Sequence, residues 1–158
     1  GLDHGGLCVS DLDELDLAAY LPCWKKDTNH LGKPIRLAGV EYSKGILLHP
    51  EESKEGNRAR VTYALDGPLR RAKRFSAIIG IDDSMEVYGK GSATFVVEVR
   101  RGGIWERAFE SGVLRLGDTP VEVNVDITGG EQLRLITTDG GDGIACDHAT
   151  WAEAKLQK

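Results

Sequence analysis

Apolar and polar residues alternate along most of this chain. Val61, Tyr63 and Leu65 alternate with Arg60, Thr62 and Ala64, and Asp66-Gly67-Pro68 ends that segment as a turn. Phe95, Val97 and Val99 alternate with Thr94, Val96 and Glu98. Arg101-Gly102-Gly103 follows as a hairpin connection, with positive φ open to both glycines. Val121, Val123, Val125 and Ile127 keep the cleanest period of two, stopped by Thr128-Gly129-Gly130, and Leu133 to Thr138 pairs back. Ile35 and Leu37 open another alternating stretch, and Tyr42 to Leu48 continues it. Phe75 to Ile81 is continuously apolar, as a strand covered on both faces would be, and Ala149 to Leu156 reads as the last strand.

Residues 1–34 are less regular. Ser10-Asp11-Leu12-Asp13 carries capping residues, so Leu12, Leu15, Leu17 and Tyr20 fit either a short helical turn or an edge segment. Trp24 to His30 reads as a polar loop, punctuated by Gly32 and Pro34. The chain therefore holds about eight or nine short strands with turn signals at intervals of roughly 8–12 residues, which predicts an all-β antiparallel β-sandwich or jelly roll. Strand–helix alternation, which a parallel α/β sheet would require, is absent, as is any internal repeat.

Composition narrows the function classes. At 158 residues the chain is expected to form a single domain spanning 1–158. A net charge of −5 argues against a nucleic-acid or anionic-membrane partner, and the run Arg70, Arg71, Lys73, Arg74 reads as a solvated strand entry. No apolar stretch approaches the roughly eighteen residues of a membrane helix. The chain does not open with the charged and apolar regions of a signal peptide, so any export signal is expected to lie upstream or to have been removed. Cys8, Cys23 and Cys146 make no disulfide framework, although one pair could oxidise. They show no Cys-x-x-Cys spacing, which argues against a zinc site.

Catalytic signatures are also lacking. No nucleophile elbow, zincin helix motif or phosphate-binding loop occurs. Asp82 and Asp147 could supply the carboxylate pair of a glycosidase, which stands about 5–10 Å apart. Cys146-Asp147-His148 places a thiol near an imidazole in sequence, but neighbouring residues of a strand face opposite ways and make no local dyad. The chain is expected not to be an enzyme.

Several blocks together resemble a known family. Gly6 to Leu12, Ile35 to His49 and Phe75 to Asp83 look like successive blocks of the NPCBM domain, also classed as carbohydrate-binding module family 51. Gly141-Asp142-Gly143 and Asp147-His148-Ala149-Thr150-Trp151-Ala152-Glu153-Ala154 are similar to its closing block, so the likeness runs in order along almost the whole chain. It implies a galactose-binding-like jelly roll without catalytic function, excised from a larger protein in which it is an accessory to an exported enzyme or surface protein. It further implies an extracellular or periplasmic location, other domains of the parent chain as neighbours, galactose-containing glycans as ligands, and a structural calcium as cofactor. Two positions depart from the pattern: Pro50 follows His49 where a small residue is usual, and Arg101-Gly102-Gly103 replaces an Asp-Gly hairpin.

Under that resemblance, the carbohydrate candidates are Tyr42, Lys44, His49, Asp82, Asp83 and Trp24. Tyr42, Lys44 and His49 share the best-matched block, and Asp82 and Asp83 end the apolar strand. His49 can bind a hydroxyl or be structural, and an inward-facing lysine–aspartate pair can simply fix the sheet. Trp24 and Trp105 can stack on a sugar or simply pack. Calcium takes about six to eight oxygens, and Asp27, Asn29, Asp147 and Glu153 are its candidate ligands, with Asp142 weaker. This set presumes that the Asp27 loop meets the C-terminal strand. Each carboxylate can equally cap a turn. The alternative to sugar binding is a structural or protein-interaction module of the same fold.

Overall fold

Fourteen strands are present, in chain order β1 (Leu7–Cys8), β2 (Asp16–Ala18), β3 (Lys25–Lys26), β4 (Ile35–Leu37), β5 (Val40–Tyr42), β6 (Gly45–Leu47), β7 (Arg58–Ala64), β8 (Arg74–Ile81), β9 (Ser92–Arg101), β10 (Ile104–Glu110), β11 (Leu114–Arg115), β12 (Val121–Asp126), β13 (Gln132–Thr138) and β14 (Ala149–Gln157). The computed structural model describes residues 1–158. All pairings are antiparallel. One sheet runs β12-β8-β14-β6-β3, with β1 also on β14. The other runs β10-β9-β13-β7-β2, with β11 also on β9, and β4 and β5 form a separate hairpin. The expected antiparallel sandwich is thus observed. The strand number exceeds the expected one because β1, β2, β3 and β11 are pieces of two or three residues, which carry no readable periodicity.

Alternation in the sequence becomes alternation in burial. In β12, Val123 and Val125 face the core while Glu122, Asn124 and Asp126 face water. The two inner faces share one cluster that includes Val61, Tyr63, Phe75, Ile79, Phe95, Val97, Leu133, Leu135, Trp151 and Leu156. Trp151 sits between the sheets, 5.3 Å from the Phe95 ring on one and 6.2 Å from the Phe75 ring on its own. Burying such a ring contributes more than any aliphatic neighbour does.

The apolar run of β8 has a narrower cause than burial on two full faces. Ile35 and Leu37 of the β4–β5 hairpin pack over Ile78 and Ala152 on the outside of the sheet, and Leu37 lies against Gly80. Only this upper part of β8 is covered twice. The N-terminal capping residues make a single 3-10 turn at Val9–Asp11, and the edge alternative holds for Asp16–Ala18, which pairs with β7. The loop expected from Trp24 to His30 contains β3, an edge strand on β6. All three cysteines are free.

Close packing around β14 leaves no room at Gly45. With φ at 156°, a Cβ there would lie 2.6 Å from the Trp151 carbonyl oxygen and 2.8 Å from Ile35 Cδ1. Gly39, at φ 87°, has nothing within 4 Å. Gly45→Ala is expected to cost about 2–4 kcal/mol in denaturant unfolding and Gly39→Ala about 1 kcal/mol. Equal costs would show that the contact with β14 does not matter.

Candidate functional site

Asp82 and Asp83 follow β8 directly and are occupied by the backbone of neighbouring loops. Asp82 is fully buried; its Oδ1 accepts from Ser84 N at 2.9 Å and Asn29 Nδ2 at 3.4 Å, and its Oδ2 accepts from Arg36 N at 3.1 Å. Asp83 accepts from Ala38 N at 2.9 Å and Gly39 N at 2.8 Å, the turn of the β4–β5 hairpin. Charged acceptors of backbone N–H groups form the stronger class of hydrogen bond. These two side chains therefore fasten the hairpin to the sheet and set where Tyr42 stands.

Lys44 Nζ donates to Asp11 at 2.8 Å and to Asp27 at 2.9 Å, and these bonds, first that to Asp11, hold its ammonium pKa above the usual range. Asp27 Oδ1 also accepts from Gly45 N at 3.0 Å. The lysine is thus tied to the sheet edge. Beyond it, Asp27, Thr28, Gly32, Pro34, Glu41, Tyr42, Ser43 and Glu153 enclose an open cavity of about 510 Å3. Glu153 reaches it because β14 bulges between Ala152 and Lys155, where Glu153 adopts φ 51° and donates its N–H to Lys44 O at 2.8 Å. Asp27 is left-handed too, at φ 66°. Tyr42 gives this cavity an aromatic ring, which four other surface cavities lack.

His49 lies elsewhere, at the end of the sandwich where β6 stops and β14 starts. It is 5% exposed, and its Nδ1 is 2.7 Å from Pro50 O. A carbonyl only accepts, so this nitrogen carries the proton. The His49 ring is 5.2 Å from Tyr20 and 5.1 Å from His148, and the His148 ring is 4.6 Å from His30. Burial, then the neighbouring imidazoles of His49 and His30, push the His148 pKa down to about 3, and burial lowers that of His49. Both shifts favour the neutral imidazole.

The four residues expected to hold calcium divide among separate places. Asp27 and Glu153 share the Tyr42 cavity, as the meeting of the N-terminal loop with the last strand required. Asn29 Oδ1 accepts from Leu31 N and Lys33 N, and its amide faces Asp82. Asp147 belongs to the 139–148 loop; its Oδ1 accepts from Ser92 N at 3.1 Å, whereas Oδ2 is buried without a partner. They form no common oxygen cage for one ion. Trp24 packs against the core, and Trp105 lies under Arg134 Cζ at 3.9 Å. The group at the sandwich end that the sequence left unassigned is Tyr20, Cys23, His30 and His148. Asp147-His148 was visible as a motif, but its partners come from segments without periodicity.

Comparisons with known proteins agree on one family. Residues 7–157 match the NPCBM/NEW2 domain. The carbohydrate-binding module CBM51 of Clostridium perfringens GH95, solved in complex with methyl-galactose, superposes with TM-score 0.82 at 29% identity, covering 96% of this chain and 99% of that one. A Clostridium perfringens ZmpB structure, comprising the M60 catalytic domain with CBM51-1 and CBM51-2, gives TM-score 0.82 at 31% identity over 97% of this chain and 15% of that one. A curated Renibacterium salmoninarum protein, named provisionally as an endo-alpha-N-acetylgalactosaminidase, is 28% identical over 125 residues. That match takes in 79% of this chain but only 7% of that protein.

The Asp147 carboxyl provides a test with a definite sign. Burial, with smaller contributions from Asp142 and Asp139, raises its pKa to about 7 against the opposing Ser92 N–H. Unfolded, the group ionises near pH ~3.9. Between those values the folded chain holds the extra proton, so this group's stabilisation falls as pH rises and is lost above about pH 7. In metal-free buffer, Asp147→Asn should gain stability relative to the parent by about 1–3 kcal/mol from about pH 4 to about pH 8. A pH-independent difference in unfolding free energy would contradict the buried-acid description.

Proposed function

Since the chain belongs to the NPCBM/NEW2 domain family, a family of non-catalytic carbohydrate-binding modules, we propose that it recognises galactose-type glycans at the Tyr42 cavity. The observation that carries this reading is the pairing of one aromatic ring with convergent sugar-hydroxyl partners. Tyr42 is backed by Ile35, Leu37 and Ala152, so its ring is fixed by packing. The apolar face of a pyranose stacks on such a ring. Glu41 and Glu153 accept hydroxyl protons, and Thr28 and Ser43 can donate or accept. Asp27 contributes an oxygen while holding Lys44. The left-handed backbone at both Asp27 and Glu153 supports a site here, because strain of this kind collects where a chain binds ligands.

Lys44, Asp82 and Asp83 then act as positioning residues. Lys44 holds Asp27, and the aspartates hold the hairpin that carries Tyr42. His49 and Trp24 stand outside the sugar site. Galactose is favoured over other hexoses by the relative solved with methyl-galactose, which aligns over nearly its whole length. In the parent protein the module would keep neighbouring domains close to glycans outside the cell, as suggested by the larger proteins that carry its relatives.

Calorimetric titration with methyl-galactoside, N-acetylgalactosamine, N-acetylglucosamine and glucose, with and without calcium, tests this reading. Galactose-type sugars should bind most tightly. Tyr42→Ala should weaken binding at least about ten-fold, or about 1.4 kcal/mol, and Glu153→Gln should weaken it less. Unchanged affinity in Tyr42→Ala would move the site elsewhere. No binding to any sugar would leave an interaction module of the same fold.

A further inference from the structure

Three loops at the end of the sandwich bring a thiol and two imidazoles together. Cys23 ends the 3-10 turn Leu21–Cys23, His49 follows β6, and His148 precedes β14. Each offers a ligand atom, and these atoms all lie within 4.8 Å of one another. We propose that Cys23, His49 and His148 bind a divalent transition-metal ion of the zinc class.

The donors fit such an ion one by one. The proton on His49 Nδ1 goes to the Pro50 carbonyl, which leaves Nε2 with a free lone pair. An imidazole whose other nitrogen donates to a carbonyl is the usual outer arrangement of a metal-bound histidine. His148 is 7% exposed, and its Nδ1 is buried without any hydrogen-bond partner. A buried polar atom left unpaired costs about 1–3 kcal/mol, which a bound ion would offset. Cys23 is half-buried and in no disulfide.

One sulfur and two nitrogens suit zinc or a neighbouring transition metal and do not suit calcium, which takes oxygens. With bonds of about 2.0–2.3 Å, tetrahedral ligands stand roughly 3.3–3.7 Å apart, so modest side-chain rotation closes the group on an ion. Three protein ligands leave a fourth position. The His30 ring lies against the outside of this group, 4.6 Å from that of His148. The ion would tie the turn carrying Cys23 to the ends of β6 and β14. This site is independent of the Tyr42 cavity.

Cobalt and zinc titrations of the chelator-treated chain decide the matter. Cobalt should bind one to one and give a thiolate charge-transfer band with the visible bands of a tetrahedral ion. Zinc should displace it, and excess calcium should not. Zinc should also slow alkylation of Cys23 at least about ten-fold without protecting Cys8, read by peptide mass spectrometry. Cys23→Ala, whose folding is checked by thermal melting, should lose the charge-transfer band and most of the affinity, whereas Cys8→Ala should behave as the parent does. Failure of the folded parent to bind either ion overturns the proposal, as does a thiolate band that survives Cys23→Ala.

Discussion

Strand β14 is the constraint on which the rest depends. It pairs with β8 on one side and with β6 and β1 on the other, so it has no free edge. Its Trp151 fills the space between the sheets and touches rings of both. The strand also positions both candidate sites. Its bulge turns Glu153 towards Tyr42, and the residue before its first position is His148. A shift of one residue in its pairing would exchange core-facing and outward-facing side chains. Trp151 opposes such a slip because it would lose its packing against the rings of Phe75 and Phe95.

Carboxylates are numerous in this chain, yet several are already occupied by the fold. Asp82 and Asp83 receive backbone N–H groups from the hairpin, and Asp27 receives Gly45 N and the Lys44 ammonium. A carboxylate so engaged has less capacity for a sugar or a cation. The sugar reading therefore rests on Tyr42 with Glu41 and Glu153, whose side chains make no hydrogen bond within the chain. Residues with site-like chemistry thus sort into those that hold the loops and those that remain free to act.

Much of the sandwich was legible in the sequence because half-buried strands carry their period openly. Val121 to Ile127 shows this directly. Short edge strands such as Lys25–Lys26 were not legible, since two residues hold no period and their pairing comes from the neighbour. The continuous apolar run of β8 implies burial on both faces, but its outer cover is the small β4–β5 hairpin over Ile78 and Gly80. At the sites, the meeting of Asp27 and Glu153 followed from the adjacency of the N-terminal loop and the last strand. The separation of Tyr42 from His49 did not follow, although they lie in one sequence block. Tyr42 ends β5 of the hairpin and lines the outer cavity, whereas His49 has passed the end of β6 into the loops.

The same reasoning explains why the absence of a Cys-x-x-Cys pair says little about a metal in this fold. That spacing matters when one short loop must supply neighbouring ligands. A sandwich brings distant loops together at its ends, and strand pairing rather than sequence spacing fixes their distance. Leu48 N bonds to Ala149 O and Tyr20 N to His49 O, so the segments bearing Cys23, His49 and His148 are held side by side before any ion arrives. Preorganisation of that kind lets three dispersed residues act as one ligand set. It follows from the placement of β14 between its neighbours, the arrangement that also aims Glu153 at Tyr42.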